Sequence, residues 1–431
     1  MSPARRDDAQ IVVAAEPCVV SSRLCFRVDP EAVCTSGRVE LADLAGLEVG
    51  GERWPLPVGP AGEPAADPSG GIDADVLGSA FWWLAGVQEH ATVERDHHGR
   101  FPYAVSLQAG LATAYGNEAP GTARRPAVDA YRQWLADALR QLAVEIPGRS
   151  WGGAPWALAL THDVDALDAG RLRGLVGETR RGRPIEALRR AAGPNERRAS
   201  LEALIELAKQ RGVRSTVFVK AGASTPQDVP YRLGGRTGIR LRELAAEGFE
   251  IGLHPSYAAA DHPRQLETEH VRLAAVLGAR ATTVRTHFLR WFDPLTPRLM
   301  ETHGFQIDSS LGFSETPGFR RGTSHPFRLY DLHADRVTDL WEMPLAVMDT
   351  TLFDHQGLSD ADALAQALAV CEAAQRAGGV AVVLWHNLLG DAKAWTRRLD
   401  VLHQILDHAK GHGAHIGSLA SCLPASPVLD R

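Results

Sequence analysis

Two aspartates, Asp163 and Asp165, close the apolar run Trp156 to Leu160 within the segment Thr161-His162-Asp163-Val164-Asp165. Alternate side chains of a strand share a face, so both carboxylates address one site. Like charges that close raise each other's proton affinity unless a cation separates their roles, which fits one metal ligand and one general base. Taken alone, the five residues read equally well as an Asp-rich strand end turning into a loop. Other strand ends break the tie. His254 ends the strand Glu250 to His254, Arg285 and His287 end Thr283 to His287, Asp308 ends Phe305 to Asp308, and His386 ends Val380 to His386. A lone histidine beside a strand is ordinarily a hydrogen-bonded core residue. Several separate strands finishing in Asp or His point to one shared site.

The 431 residues exceed what one core usually serves. The turn Pro147-Gly148-Arg149-Ser150 reads as a linker between an accessory domain over 1–150 and a catalytic domain over 151–431. The first part mixes short apolar runs with Gly/Pro-rich breaks, notably Gly59 to Gly71, and closes on a helical pattern from Ala127 to Val144. Past the linker, strands alternate with amphipathic helices. Strands are expected at Trp156 to Asp163, Ser215 to Val219, Glu250 to His254, Thr283 to His287, Phe305 to Asp308, Leu340 to Val347 and Val380 to His386. Helices are expected at Leu201 to Gln210, Leu241 to Glu247, Glu267 to Leu277, Thr296 to His303, Asp360 to Ala377 and Trp395 to Lys410. Such alternation implies parallel pairing through right-handed crossovers, and seven or eight units are expected to close into a barrel. Barrel enzymes build their sites at the C-terminal strand ends, where the Asp and His residues lie.

These residues resemble the polysaccharide deacetylase family, the NodB-homology group of carbohydrate esterases, in a divergent cytoplasmic subgroup. The resemblance covers roughly residues 155 to 425 and implies a distorted (β/α)7 barrel beside a smaller N-terminal α/β or α+β domain. Thr161 to Asp165 is similar to the first family motif, which implies Asp163 as base and Asp165 as metal ligand. Leu207 to Val219 resembles the passage before the second motif, and Glu250 to Tyr257 that motif itself, with His254 as the metal histidine. Arg285-Thr286-His287-Phe288 resembles an Arg-x-Pro-Tyr motif whose arginine positions the catalytic aspartate. Leu384-Trp385-His386 resembles the final motif, which supplies the catalytic acid, His386. Asp308 to Phe327 is similar to a block of one subgroup. There Arg320 is expected to hold the base or a substrate phosphate or carboxylate by bidentate bonds, with Asp308 and Trp385 also on the substrate side. Glu342, Asp349 and His355 lie near the sixth strand's end, and Glu342 is read as a structural partner.

The departure from the family pattern is Ala258, which stands where the second motif carries another histidine. A catalytic zinc normally keeps three protein ligands and an open position, so Asp165 and His254 are one short. His287 is the expected replacement and His262 the alternative; a His287 that only lines the substrate cleft, with a weak metal or none, is the remaining reading. The resemblance implies a metal-dependent hydrolase, with one divalent ion, zinc, removing an N- or O-linked acetyl group from a sugar or glycan precursor. The alternatives are hydrolysis of another non-peptide C-N bond and a non-catalytic glycan-binding barrel.

The rest of the chain narrows the setting. A net charge of -6 gives no support for nucleic-acid binding. Arg171 to Arg198, with nine arginines, reads as a solvated basic insertion, or else as a lid for an anionic substrate or lipid surface. The N-terminus is not apolar enough for a signal peptide and no run reaches the roughly 18 apolar residues of a span, so a cytoplasmic enzyme is expected. It would meet a nucleotide- or lipid-linked sugar. Cys18, Cys25 and Cys34 are too widely spaced for a thiolate metal pair, and Cys371 and Cys422 read as core fillers. Glu94 to Arg100 reads as a polar turn, or else as an interdomain contact or a contribution to the cleft, and Trp82 and Trp83 as core or domain-interface residues rather than a sugar platform.

Overall fold

The computed structural model describes residues 45–49, 51–56, 76–141, 150–167, 195–387 and 392–424. The Gly59 to Gly71 break, Cys18, Cys25, Cys34 and all of the arginine-rich stretch before Asn195 lie outside them. The described residues fall into two compact units. One takes residues within Met1–Glu94, Ala104–Pro147 and Arg321–Thr323; the other takes Arg95–Tyr103 and residues within Gly148–Arg320 and Ser324–Arg431.

In the first unit, β1 (Ala45–Val49) and β2 (Glu52–Leu56) pair antiparallel. Its helices are Val76–Leu84, Val87–Ala91, Leu107–Tyr115 and Ala127–Gln141. Trp82 and Trp83 are both buried and meet edge to face at 5.1 Å, the core alternative of the two expected for them. Trp83 Nε1 donates to the Tyr131 hydroxyl at 3.4 Å, and that hydroxyl donates to Pro55 O. Arg321–Thr323 belongs to this unit because the buried Arg321 pairs with Glu89 at 3.1 Å and Thr323 Oγ1 donates to Asp129 at 2.6 Å.

The second unit is a mixed α/β fold around one curled sheet. Its strands are β3 (Ala157–Val164), β4 (Thr216–Val219), β5 (Glu250–Leu253), β6 (Thr283–Val284), β7 (Ile307–Asp308), β8 (Phe327–Asp331), β9 (Arg336–Glu342), β10 (Leu345–Met348), β11 (Val380–Leu384) and β12 (His415–Gly417). They run in the order β10-β11-β3-β4-β5-β6-β7-β9-β8, with β12 also paired to β3. Every pair is parallel except β8 with β9. All eight residues of β3 are buried, as a parallel strand covered on both faces requires. Helices Glu196–Gln210, Arg236–Ala246, Pro263–Leu277, Leu295–Thr302, Asp360–Ala377 and Ala392–Gly411 connect the strands. Asn195 and Ser359 cap two of them by accepting from Arg198 N and Asp362 N. None of the described helices is long and apolar enough to cross a membrane. Cys371 and Cys422 are buried, free core residues.

Two expectations need correction. The sheet is a distorted barrel that stays open, since β10 and β8 end it without pairing among the described residues. The single strand expected over Leu340 to Val347 is two strands, because Pro344 between them has no N–H to continue a ladder. β9 turns back antiparallel on β8, which lacks the apolar density that marks a parallel strand and so escapes the sequence reading.

The register sets the site. Asp163, Phe218 and Gly252 are neighbours across β3, β4 and β5, and one residue further Val164, Val219, Leu253 and Val284 form the next row. Asp165, Lys220, His254 and Arg285 therefore follow side by side at the strand ends, on the same face as Asp163 and Phe218. Phe218 lies beneath the Arg285 guanidinium at 4.6 Å. Gly252 leaves room for that ring: a Cβ there would meet it at 2.6 Å and Thr283 O at 3.1 Å. Gly252→Ala is expected to cost about 1–3 kcal/mol through overpacking, read from denaturant unfolding. A change below about 0.5 kcal/mol would mean that Phe218 does not hold this position.

Candidate metal and catalytic site

Three potential ligand atoms converge at the row just beyond the strands. Asp165, His254 and His287 each offer one, and all lie within 4.8 Å of one another. His254 Nδ1 donates to Arg285 O at 2.7 Å, which leaves its Nε2 as a lone pair 3.3 Å from Asp165 Oδ1. His287 Nδ1 lies 2.9 Å from Asp228 Oδ1, and its Nε2 is also 3.3 Å from Asp165 Oδ1. That oxygen is buried and receives no hydrogen bond from the surrounding protein. Burial works to raise the Asp165 pKa, but the two imidazoles facing the carboxyl hold it well below the usual carboxylate range. One carboxylate and two imidazoles, each imidazole held through its other nitrogen, are a donor set suited to a divalent cation.

His287 reaches this position through an unusual turn. Phe288 and Leu289, directly after it, have φ of 61° and 54°, a region that non-glycine residues seldom adopt. Neighbouring groups hold the turn: Arg100 Nη1 donates to Phe288 O at 3.1 Å, and the His98 ring packs 4.4 Å from that of Phe288. His98 also meets the Tyr257 hydroxyl at 3.0 Å. The Glu94 to Arg100 segment is thus a turn whose histidine supports the rim. His262, the alternative ligand, precedes helix Pro263–Leu277 and is absent from the converging set.

Beside the three ligand atoms lie two acid–base candidates. Asp163 is buried, with Oδ2 3.9 Å from His254 Nε2 and Oδ1 accepting from Arg285 Nη1 at 3.1 Å. Arg285 is itself held by Ser309 O at 2.7 Å, Ser309 Oγ at 2.8 Å and Thr161 Oγ1 at 2.8 Å. Across the cluster, His386 Nε2 is 3.9 Å from Asp165 Oδ2. Its Nδ1 is 2.5 Å from Asp349 Oδ1, and its backbone N–H donates to Asp349 Oδ2 at 3.1 Å. Burial pushes the His386 pKa down, but the Asp349 carboxylate outweighs it and holds the imidazole up at about 9. Lys220 completes the row. Its pKa is lowered by burial, against the pull of Asp165, Asp228 and Glu269.

The three residues expected on the substrate side, Asp308, Trp385 and Arg320, are buried in this structure. Asp308 is wholly buried, accepting from Ser310 N at 3.0 Å and Ser310 Oγ at 2.6 Å, and burial raises its carboxyl pKa. Trp385 is wholly buried and meets Phe353 edge to face at 6.1 Å. Arg320 is 1% exposed, donates from Nη1 to Gly312 O at 3.4 Å and lies 6.0 Å from the Phe101 ring centre. Each of the three side chains is packed among its neighbours. Glu342 is a structural partner, with Oε1 accepting from Leu311 N at 3.1 Å.

Asp228 and Asp349 are the contributors that sequence reasoning left unassigned. Asp349 follows directly on β10, so the rule that strand ends carry the site could have found it. Asp228 sits in an irregular loop with no periodic signal.

Among known families, residues 63–144 match a family of unknown function, DUF7033. No curated protein matches the chain. Solved structures similar to it include one described as a polysaccharide deacetylase from Mycobacterium smegmatis, at 20% identity and a TM-score of 0.46, covering 64% of this chain and 92% of that one. Another, from Pseudomonas aeruginosa and described in the same terms, shares 17% identity at a TM-score of 0.43, covering 64% and 93%. A family 4 carbohydrate esterase from Streptomyces lividans in complex with acetate shares 12% at 0.36, covering 64% and 99%.

Proposed function

We propose that the chain is a metal-dependent hydrolase that removes an N- or O-linked acetyl group from a sugar or glycan precursor. The observation that carries this reading is the meeting of Asp165, His254 and His287 between two differently prepared groups, Asp163 on Arg285 and His386 on Asp349. A divalent cation held by the three ligands, for which zinc suits the mix of oxygen and nitrogen donors, supplies Lewis-acid polarisation of the scissile carbonyl and acidifies water within its reach. Asp163, with one oxygen engaged by Arg285, has the other free to accept the proton of the attacking water. His386, protonated with Asp349 behind it, donates to the departing nitrogen or oxygen. One group must begin unprotonated and the other protonated, and their unlike partners support that division. The buried Arg285, donating to Asp163 Oδ1, fixes the direction of that carboxylate.

The test is metal analysis of purified protein together with release of acetate from acetylated sugars, including nucleotide-linked ones. Asp165→Ala is expected to lose bound metal and acetate release together. Stoichiometric metal in that variant would remove Asp165 from the ligand set. Metal binding without acetate release, but with cleavage of another non-peptide amide, would support the wider C-N hydrolase. Binding of glycan with no turnover of any amide or ester would make the unit a lectin-like barrel.

A further inference from the structure

We infer that Asp228 is the positioning residue that makes His287 the third metal ligand, so that an Asp228–His287 pair stands in for the histidine absent at position 258. The inference rests on the metal reading above and extends it to a residue outside every sequence motif.

Asp228 is 3% exposed and accepts on both oxygens. Oδ2 accepts from Ser224 N at 2.8 Å, Ser224 Oγ at 3.1 Å and Thr225 N at 3.1 Å. Oδ1 accepts from Tyr257 N at 3.0 Å and lies 2.9 Å from His287 Nδ1. A carboxyl that accepts from three backbone N–H groups is placed as an acceptor, so its contact with His287 holds the ring proton on Nδ1. The Nε2 lone pair then faces Asp165 and His254, as ligation requires.

The same carboxylate ties the loop that should have carried the missing ligand. It holds Tyr257 N, while Ser224 Oγ, also bonded to Asp228, accepts from Ala258 N at 2.9 Å and meets Ser256 Oγ at 3.0 Å. Position 258 thus carries only a methyl group, its backbone bound into the cluster that orients His287. The short 224–228 loop performs two tasks with one side chain. It fixes the loop after β5 and sets the tautomer of a ligand on the loop after β6.

The experiment is zinc affinity by chelator competition on the full chain, for wild type, Asp228→Asn, His287→Ala and the double variant, with near-UV circular dichroism reporting folding. Asp228→Asn is expected to weaken zinc binding by about 10- to 100-fold, the usual effect of removing a carboxylate behind a ligating histidine. In the His287→Ala background the same change should alter affinity by less than about threefold, because its route to the metal has gone. Equal losses in both backgrounds would show a purely structural role and overturn the inference. So would wild-type affinity in Asp228→Asn, while loss in His287→Ala alone would leave the ligand assignment standing. Absence of zinc binding by the wild type would overturn the metal reading itself and this inference with it. If Asp228→Asn does not fold, nitrogen-15 spectra of histidine-labelled wild type decide. Zinc should then shift the His287 Nε2 resonance while Nδ1 keeps its proton, and coordination through Nδ1 would refute the inference.

Discussion

Asp163→Asn is expected to lower turnover by about 10²- to 10⁴-fold while leaving metal content unchanged, since it removes the proposed base but no ligand. The amide preserves the size of the side chain and its place beside Arg285, so the effect separates proton acceptance from binding. A second consequence follows from burial. Arg285 is wholly buried and Asp163 is its countercharge. Breaking a buried ion pair from one side commonly costs about 3–5 kcal/mol, so the melting temperature should fall as well. Turnover is therefore expressed per folded molecule. Retention of more than about a third of wild-type turnover, with full metal, would leave the base to some other group.

His386 carries the other large effect. As general acid it acts when protonated, so turnover should fall as the pH rises through a pKa held near 9. Asp349, with lesser help from Asp165 and Asp163, holds it there against burial, so Asp349→Asn should move the alkaline limb of the pH–rate profile to lower pH. One neighbouring charge typically moves a pKa by about 1–3 units. His386→Ala should lose the limb altogether, with about 10²- to 10⁴-fold of turnover. The two variants check each other. An alkaline limb that stays in place in Asp349→Asn, or survives in His386→Ala, would assign it to a different acid.

Much of this arrangement is legible in the chain. A buried parallel strand is a continuous apolar run, so β3, β4, β5 and β11 stand out as runs, and the polar residue ending each run falls at the sheet's C-terminal edge. Asp163, Asp165, His254 and His386 are therefore brought together by the sequence pattern alone. β6 and β7, with two residues each, are shorter than the runs Thr283 to His287 and Phe305 to Asp308 expected for them. The β8–β9 hairpin was missed because β9 alternates buried and exposed residues while Leu340 to Val347 as a whole reads as one apolar run.

What the sequence by itself determined is the order of strands and helices and the chemistry at the strand tips, because both follow from local periodicity and from the alternation of side chains along a strand. Which polar residues face the site and which are sealed in the core was decided only by the tertiary structure. Asp308, Arg320 and Trp385 have the composition of site residues, yet the fold leaves them almost wholly buried. Asp228 has the composition of a turn residue, yet its loop carries it to the His287 ring, 59 positions away along the chain. A carboxylate's role depends on what it meets, and for loop residues that meeting is set by the closing of distant segments, which no local pattern encodes.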